Sequence, residues 1–374
     1  MAAAQKGVNV MTGNITNYFA SGNTARGFVS MYESSLQGLN QLIVVEGGLA
    51  SEKAELFREI GERMVEEGHD AWFIHCASNN ESLDGLVFPG LKVGIVDATA
   101  PREVIHGQPE EGLHYFNLSD SLDTAGLILQ KSAIDNLTKE IALANERAYA
   151  GFAEALRVHD GWEAVYIANM DFEAADRLTQ DLISTLFQDR TNERESRVDH
   201  RFLGAATPLG AVDFVPNLTD GVKRYFIKGR PGSGKSTMLK KIAAAATERG
   251  FNMEIYHCGF DPNSLDMVIV RELGFAIFDS TAPHEYFPEK PTDEIIDMYE
   301  HCIKKGTDEE HAETIQVIKE QYSAKMKESI QQLARAKSLQ DELEQIYSSC
   351  ADSNAAQQVK HDIQQLIVRV AAGK

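Results

Sequence analysis

The stretch FIKGRPGSGKSTM, residues 226–238, decides how the rest of the chain is read. A short apolar run enters a glycine-rich turn in which Gly229, Gly234, Lys235 and Ser236 satisfy G-x-x-x-x-G-K-[ST]. The flanks give the pattern its context. VKRYFIKG (222–229) has strand character. SGKSTMLKKIAAAATERG (233–250) is rich in helix formers and closes on Gly250, and FAIFD (275–279) is an apolar run ending in an acid. A phosphate-binding loop needs this order. Glycines let backbone N–H groups turn inward onto an anion, and the helix start adds its dipole and unpaired amides. On this reading Gly229, Arg230, Pro231, Gly232, Ser233, Gly234, Lys235, Ser236 and Thr237 hold ATP. Lys235 reaches the β- and γ-phosphates, and Ser236 with Asp279 ligates Mg2+. Lys235 and Asp279 are the expected catalytic pair. No Glu follows Asp279, so Asp261, Asp266 and His284 stand as the candidates for activating water.

Moving outward, a shift of 182 residues lays VVEGGLASEKAEL (44–56) on this loop. Between 47–101 and 229–283, 17 of 55 aligned positions are identical, where unrelated sequences of ordinary composition would share about three or four. His-Cys (75–76 and 257–258), Ser-Leu-Asp (82–84 and 264–266) and Asp-x-Thr-Ala-Pro (97–101 and 279–283) recur in register. YFASGNTARG (18–27) matches RFLGAATPLG (201–210), and DGWEAVYIANMD (160–171) matches DELEQIYSSCAD (341–352). The chain is therefore a tandem duplication. In the first copy Glu52 stands for Gly234, Ala54 for Ser236 and Ala50 for Gly232, while Lys53 survives. These changes put charge and side chain where backbone must approach phosphate and remove the Mg2+ hydroxyl, so the first loop is expected to be empty and Asp97 structural. Asp266 recurs as Asp84, which favours a role in the fold over one in catalysis. Asp261 and His284 become Asn79 and Arg102. Adjacent His and Cys point to opposite faces of a strand, which favours a structural role over a metal site. Arg26 in GNTARGF answers to Leu209; it is read either as an arginine finger for the intact loop or, preferably, as the partner of a surface acid.

The expected fold is α/β, a tandem pair of P-loop NTPase-like parallel-sheet domains, each with a long α-helical appendage. The domains are 1–190, with the degenerate loop, and 191–374, with the intact one. QDRTNERESRVDHR (188–201) reads as the linker, SLDMVIVREL as a short helix or strand, and residues 119–187 and 292–371 as helical hairpins packed beside each sheet.

Composition narrows the classes of partner. The 374 residues are 43% hydrophobic and 25% charged, as in globular proteins, and the formal net charge is −20. Such acidity opposes general nucleic-acid binding and anionic membranes. No apolar run spans a bilayer, the N-terminus lacks a secretory core, and four scattered cysteines fit a reduced cytoplasmic protein.

GNTARGF (22–28), LQGL (36–39), the paired His-Cys and Ser-Leu-Asp motifs, DATAP, DSTAP, and the helices carrying Tyr166 and Tyr347 together resemble a bacterial, Firmicutes-type family of tandem P-loop ATPases. The resemblance covers nearly the whole chain and implies a nucleotide-binding fold. Members of that family carry a full G-x-P-G-[ST]-G-K-S loop in both halves, and this chain departs from them in the first. Three functions compete: a slow ATPase or ATP-switched regulator with one active half and an unidentified protein partner; a kinase for a small molecule or nucleotide; and a non-catalytic nucleotide-binding scaffold. The kinase reading is weakened by the scarcity of arginines after Asp279, where only Arg335 and Arg369 occur.

Overall fold

The computed structural model describes residues 12–99 and 112–371, without the side chains of residues 353 and 355. Arg102 and the Ala-Pro end of DATAP lie outside the described residues. The first half runs β1 (Ile15–Tyr18), β2 (Ser21–Thr24), β3 (Gly27–Ser30), α1 (Tyr32–Ser35), β4 (Gln41–Glu46), α2 (Ala50–Glu66), β5 (Ala71–His75), β6 (Leu83–Phe88), β7 (Val93–Asp97), β8 (Leu113–Asn117), α3 (Thr124–Leu129), α4 (Lys131–Ile167) and α5 (Phe172–Phe187). The second half repeats the series. It runs β9 (Val198–Phe202), β10 (Gly204–Thr207), β11 (Gly210–Asp213), α6 (Val215–Leu218), β12 (Lys223–Lys228), α7 (Lys235–Glu248), β13 (Met253–His257), β14 (Leu265–Val270), β15 (Phe275–Asp279) and β16 (Glu294–Asp297). It ends with α8 (Met298–Cys302), α9 (Thr307–Glu310), α10 (Ala312–Ser349) and α11 (Ser353–Ala371).

Each half builds a six-stranded sheet, in the orders β1-β5-β6-β7-β4-β8 and β9-β13-β14-β15-β12-β16. The two orders match strand for strand, as a duplicated unit requires. The sheets are mixed and not wholly parallel, because β6 and β14 run antiparallel to both neighbours. The reason is chain length. Residues 258–264 join β13 to β14 and 271–274 join β14 to β15, and a parallel return needs a crossover of roughly a dozen residues. The ambiguous SLDMVIVREL is thus a strand, buried on both faces.

Two further expectations give way. Residues 198–201 of the supposed linker form β9, which pairs with β13. The Arg201 guanidinium is buried between the rings of Tyr18 and Trp72, 4.4 Å from each centroid, and Glu254 pairs with it at 3.4 Å. A charged strand reads as linker until its partner charges are in view. Ile295 and Ile296, placed in a helical hairpin by sequence, lie in the edge strand β16, parallel to β12.

The halves interlock. Tyr18, Tyr32, Leu42 and Val96 share one core with Leu203, Phe226, Tyr256 and Phe278, and the Phe202 amide donates to the Phe19 carbonyl where the halves meet. The helical appendages are exchanged. α5 buries Ile183, Leu186 and Phe187 against Leu239, Ile242 and Ile277 of the second half, crossing the 190/191 boundary. α11 buries Ile363 and Ile367 against Leu56, Phe57 and Ile95 of the first. Both helices carry one apolar stripe at helical spacing, and that stripe needs a sheet-and-helix core to cover it. α4 and α10 pack along one another through Ala148, Phe152 and Leu333.

Candidate functional site

The loop 229–237 leaves β12 and enters α7, and two of its glycines are in the left-handed region, Gly232 at φ 75° and Gly234 at φ 88°. Among the described residues no side chain caps the α7 N-terminus. Ser233 closes the turn, accepting from the Arg230 amide (3.1 Å) and donating to the Arg230 carbonyl (2.8 Å). Lys235 Nζ donates to the same carbonyl (2.8 Å) and lies 3.6 Å from Asp279 Oδ2. Ser236 Oγ accepts from the Leu265 amide at 3.0 Å, which fixes the start of β14 beside the helix. Asp279 Oδ1 accepts from the Thr281 amide (3.1 Å) and hydroxyl (2.6 Å). Lys235, Ser236 and Asp279 are therefore brought together, as their spacing predicts.

Asp266 joins them. The register that pairs Met267 with Phe278 sets Asp266 opposite Asp279 at the end of the ladder. Burial, then the Asp279 charge, push its carboxyl up to about 6. Sequence reasoning kept Asp266 among the candidates for activating water while its recurrence in both halves favoured a role in the fold; the cross-strand register sets it opposite Asp279. His284 hydrogen-bonds Asp213 Oδ2 through Nδ1 at 2.7 Å. Burial lowers its affinity for a proton, but Asp213 and the neighbouring carboxylates win and the net shift is upward. Asp261 pairs with Arg26 Nε at 2.8 Å. Arg26, half exposed at a hairpin tip, is thus the partner of an acid, and that acid belongs to the opposite half.

The first half also supplies groups that sequence reading did not assign to the loop. A Cβ on Gly232 would lie 2.5 Å from the Glu163 carbonyl, and one on Gly234 would lie 2.7 Å from Met170 Cε, so the end of α4 rests directly on the loop. Tyr166 donates to Asp308 Oδ1 (2.7 Å), while Arg230 holds Asp308 Oδ2 (2.8 Å). His159, Asp160 and Glu163 bring their ligand atoms within 4.8 Å of one another on the same stretch of α4. The signal for these residues was the 160–171/341–352 repeat, but a repeat does not say which half it packs against. Among the described residues neither His-Cys pair belongs to a three-ligand group. His257 donates through Nδ1 to the Pro262 carbonyl (2.7 Å) and its Nε2 meets His200 Nδ1 (2.9 Å), a tie at the strand tip.

The degenerate loop is built differently. Lys53 Nζ donates to Asp97 Oδ1 (2.9 Å) and Thr99 Oγ1 (2.6 Å), and both members of the ion pair are buried. The space beside Gly47 is filled by Ser119 Oγ, 1.9 Å from where a Cβ would be, and that beside Gly48 by Leu118 Cβ at 2.5 Å. At the start of α2, Glu344 of α10 sets its carboxylate on the Ser51 amide at 2.8 Å.

Set against protein-family models, curated proteins and solved structures, the chain matches none of them.

Proposed function

We propose that the protein binds one Mg-ATP in the loop 229–237 and works as a slow ATPase or ATP-switched regulator, with the first half catalytically silent. The observation carrying this reading is Lys235 Nζ lying 3.6 Å from Asp279, at an uncapped helix start reached through two left-handed glycines. The residues fit the ligand. A phosphate would take the α7 amides and draw Lys235 Nζ from the Arg230 carbonyl. Ser236 and Asp279 supply the hydroxyl and carboxylate that Mg2+ prefers, and the ion would neutralise charge developing on the transferred phosphoryl group. Asp266, across the ladder from Asp279, is the better-placed proton acceptor than Asp261, whose carboxylate Arg26 occupies. Among the described residues no helix is long and apolar enough to cross a membrane, and we read the protein as cytoplasmic.

Titration calorimetry with Mg-ATP tests the reading. A stoichiometry near one is expected, lost in Lys235→Ala. Ser236→Ala and Asp279→Ala should lower turnover far more than affinity, since the backbone does most of the ground-state holding. A stoichiometry of two, or full turnover in Asp279→Ala, would refute it.

A further inference from the structure

The two long helices have one foot on each loop. The α4 foot lies over the second-half loop, where Glu163 meets Gly232. The α10 foot lies over the first-half loop, where Glu344 meets Ser51. Glu163 and Glu344 are counterparts under the 181-residue shift that aligns DGWEAVYIANMD with DELEQIYSSCAD. The turns that follow are docked in the same exchanged manner. The Asp171 amide donates to the Cys302 carbonyl (2.8 Å) in the second half, and the Asp352 amide to the Ser121 carbonyl (2.6 Å) in the first.

The side chains then part ways. Glu344 Oε1 accepts from both the amide and the hydroxyl of Ser51, the second residue of α2, a helix of 17 residues with no other side-chain cap among the described residues. That is the station a phosphate oxygen takes at a helix start: a charge-assisted bond to a free amide, in the positive end of the dipole. The Glu163 carboxylate instead turns toward His159 Nδ1, at 3.9 Å, and the amide of Ser233 is engaged by the Arg230 carbonyl. One loop holds a carboxylate of the opposite half, while the other is overlain by the same helix position with its carboxylate turned aside.

We propose that the first loop is a carboxylate site whose ligand is Glu344, a phosphate surrogate carried by the chain itself. It clamps the α10 foot of the helix pair, and the α4 foot over Lys235 is left to report nucleotide. The second clause rests on the nucleotide reading above; the clamp does not. A tethered carboxylate is present at an effective concentration in the millimolar range or higher, so a free anion must outcompete it as well as overcome the Glu52 charge. A fixed foot also gives the pair a direction. Phosphate arriving on the α7 amides changes what α4 rests on, and with α10 held, the change falls on the α4 end and on α5, which α4 carries into the second core.

Hydrogen exchange on the full chain, read peptide by peptide with and without Mg-ATP, tests both clauses. Without nucleotide, Glu344→Ala should speed exchange at residues 51–54 by about tenfold or more, the size expected for losing a hydrogen bond to a charged group. Glu344→Gln, which keeps the shape and an acceptor oxygen, should fall between Ala and wild type and guards against a variant that merely fails to fold. Unchanged protection at 51–54 in both variants would overturn the clamp. With Mg-ATP, exchange in 159–170 should slow while 340–352 stays unchanged in the wild type, and both segments should respond in Glu344→Gln. An equal response of the two feet in the wild type, or none in 159–170 at saturating nucleotide, would overturn the lever. Absence of any calorimetric nucleotide binding would sink the function proposed above and with it the lever, and the 51–54 measurement would still decide the clamp.

Discussion

Asp266→Asn should stabilise the protein at neutral pH, and the gain should vanish in acid. The buried Asp266 carboxyl titrates near 6 in the folded chain because burial and the adjacent Asp279 charge disfavour ionisation; its ordinary value is 3.8. The sign follows from proton binding. Between those two values the folded state holds the proton and the unfolded state does not, so raising the pH draws stability out of the fold. The contribution is fully present below 3.8 and is lost as the pH passes 6. At 1.36 kcal/mol per pH unit, the loss is about 3 kcal/mol, an upper figure because Asp266 and Asp279 share it. Asparagine keeps the shape without the charge. With an unfolding entropy of about 2.1 cal/mol/K per residue, 3 kcal/mol over this chain corresponds to a Tm difference of about 4 °C. Scanning calorimetry of both proteins from pH 4 to 8, free of Mg2+ and nucleotide, reads it directly. The variant should melt higher at pH 8, and the two curves should converge near pH 4. A pH-independent difference, or a variant less stable throughout, would refute the cross-strand electrostatics on which the reasoning stands.

Other perturbations separate the two halves. Lys53→Ala should cost about 3–5 kcal/mol in chemical denaturation, the usual penalty for leaving one member of a buried pair, here Asp97, uncompensated. The folded fraction should nevertheless bind Mg-ATP with wild-type affinity, and a lost stoichiometry would place nucleotide in the first loop. Gly232→Ala puts a Cβ 2.5 Å from the Glu163 carbonyl at a positive φ, so it should loosen α4 and lower the Tm; an unaltered melting curve would show that α4 does not rest on the loop. Arg26→Ala removes a half-exposed ion pair with Asp261, and the melting temperature should hardly change. If turnover drops at least tenfold while the melting temperature holds, the arginine acts on phosphate as well as on Asp261.

The residues alone settled what is local or repeated. GRPGSGKST and the acid at the end of FAIFD predicted the grouping of Lys235, Ser236 and Asp279, because a strand, a turn and a helix within some forty residues leave few ways to arrange them. The 17 matches of the duplicated core anticipated two sheets with one strand order. Tertiary structure decided what depends on which surface covers which. Strand direction at Leu265–Val270 followed from connection length and not from the apolar run itself. Arg201 reads as linker charge until Tyr18 and Trp72 close over it. The exchange of α5 and α11 was invisible, because a helix stripe such as Ile183-Leu186-Phe187 says that it must be buried but not in which of two like cores. A duplicated sequence gives two equivalent partners for every such face, and only the packed chain chooses between them. Thus Glu163 came to rest on Gly232 and Glu344 on Ser51, each across the interface from its own loop.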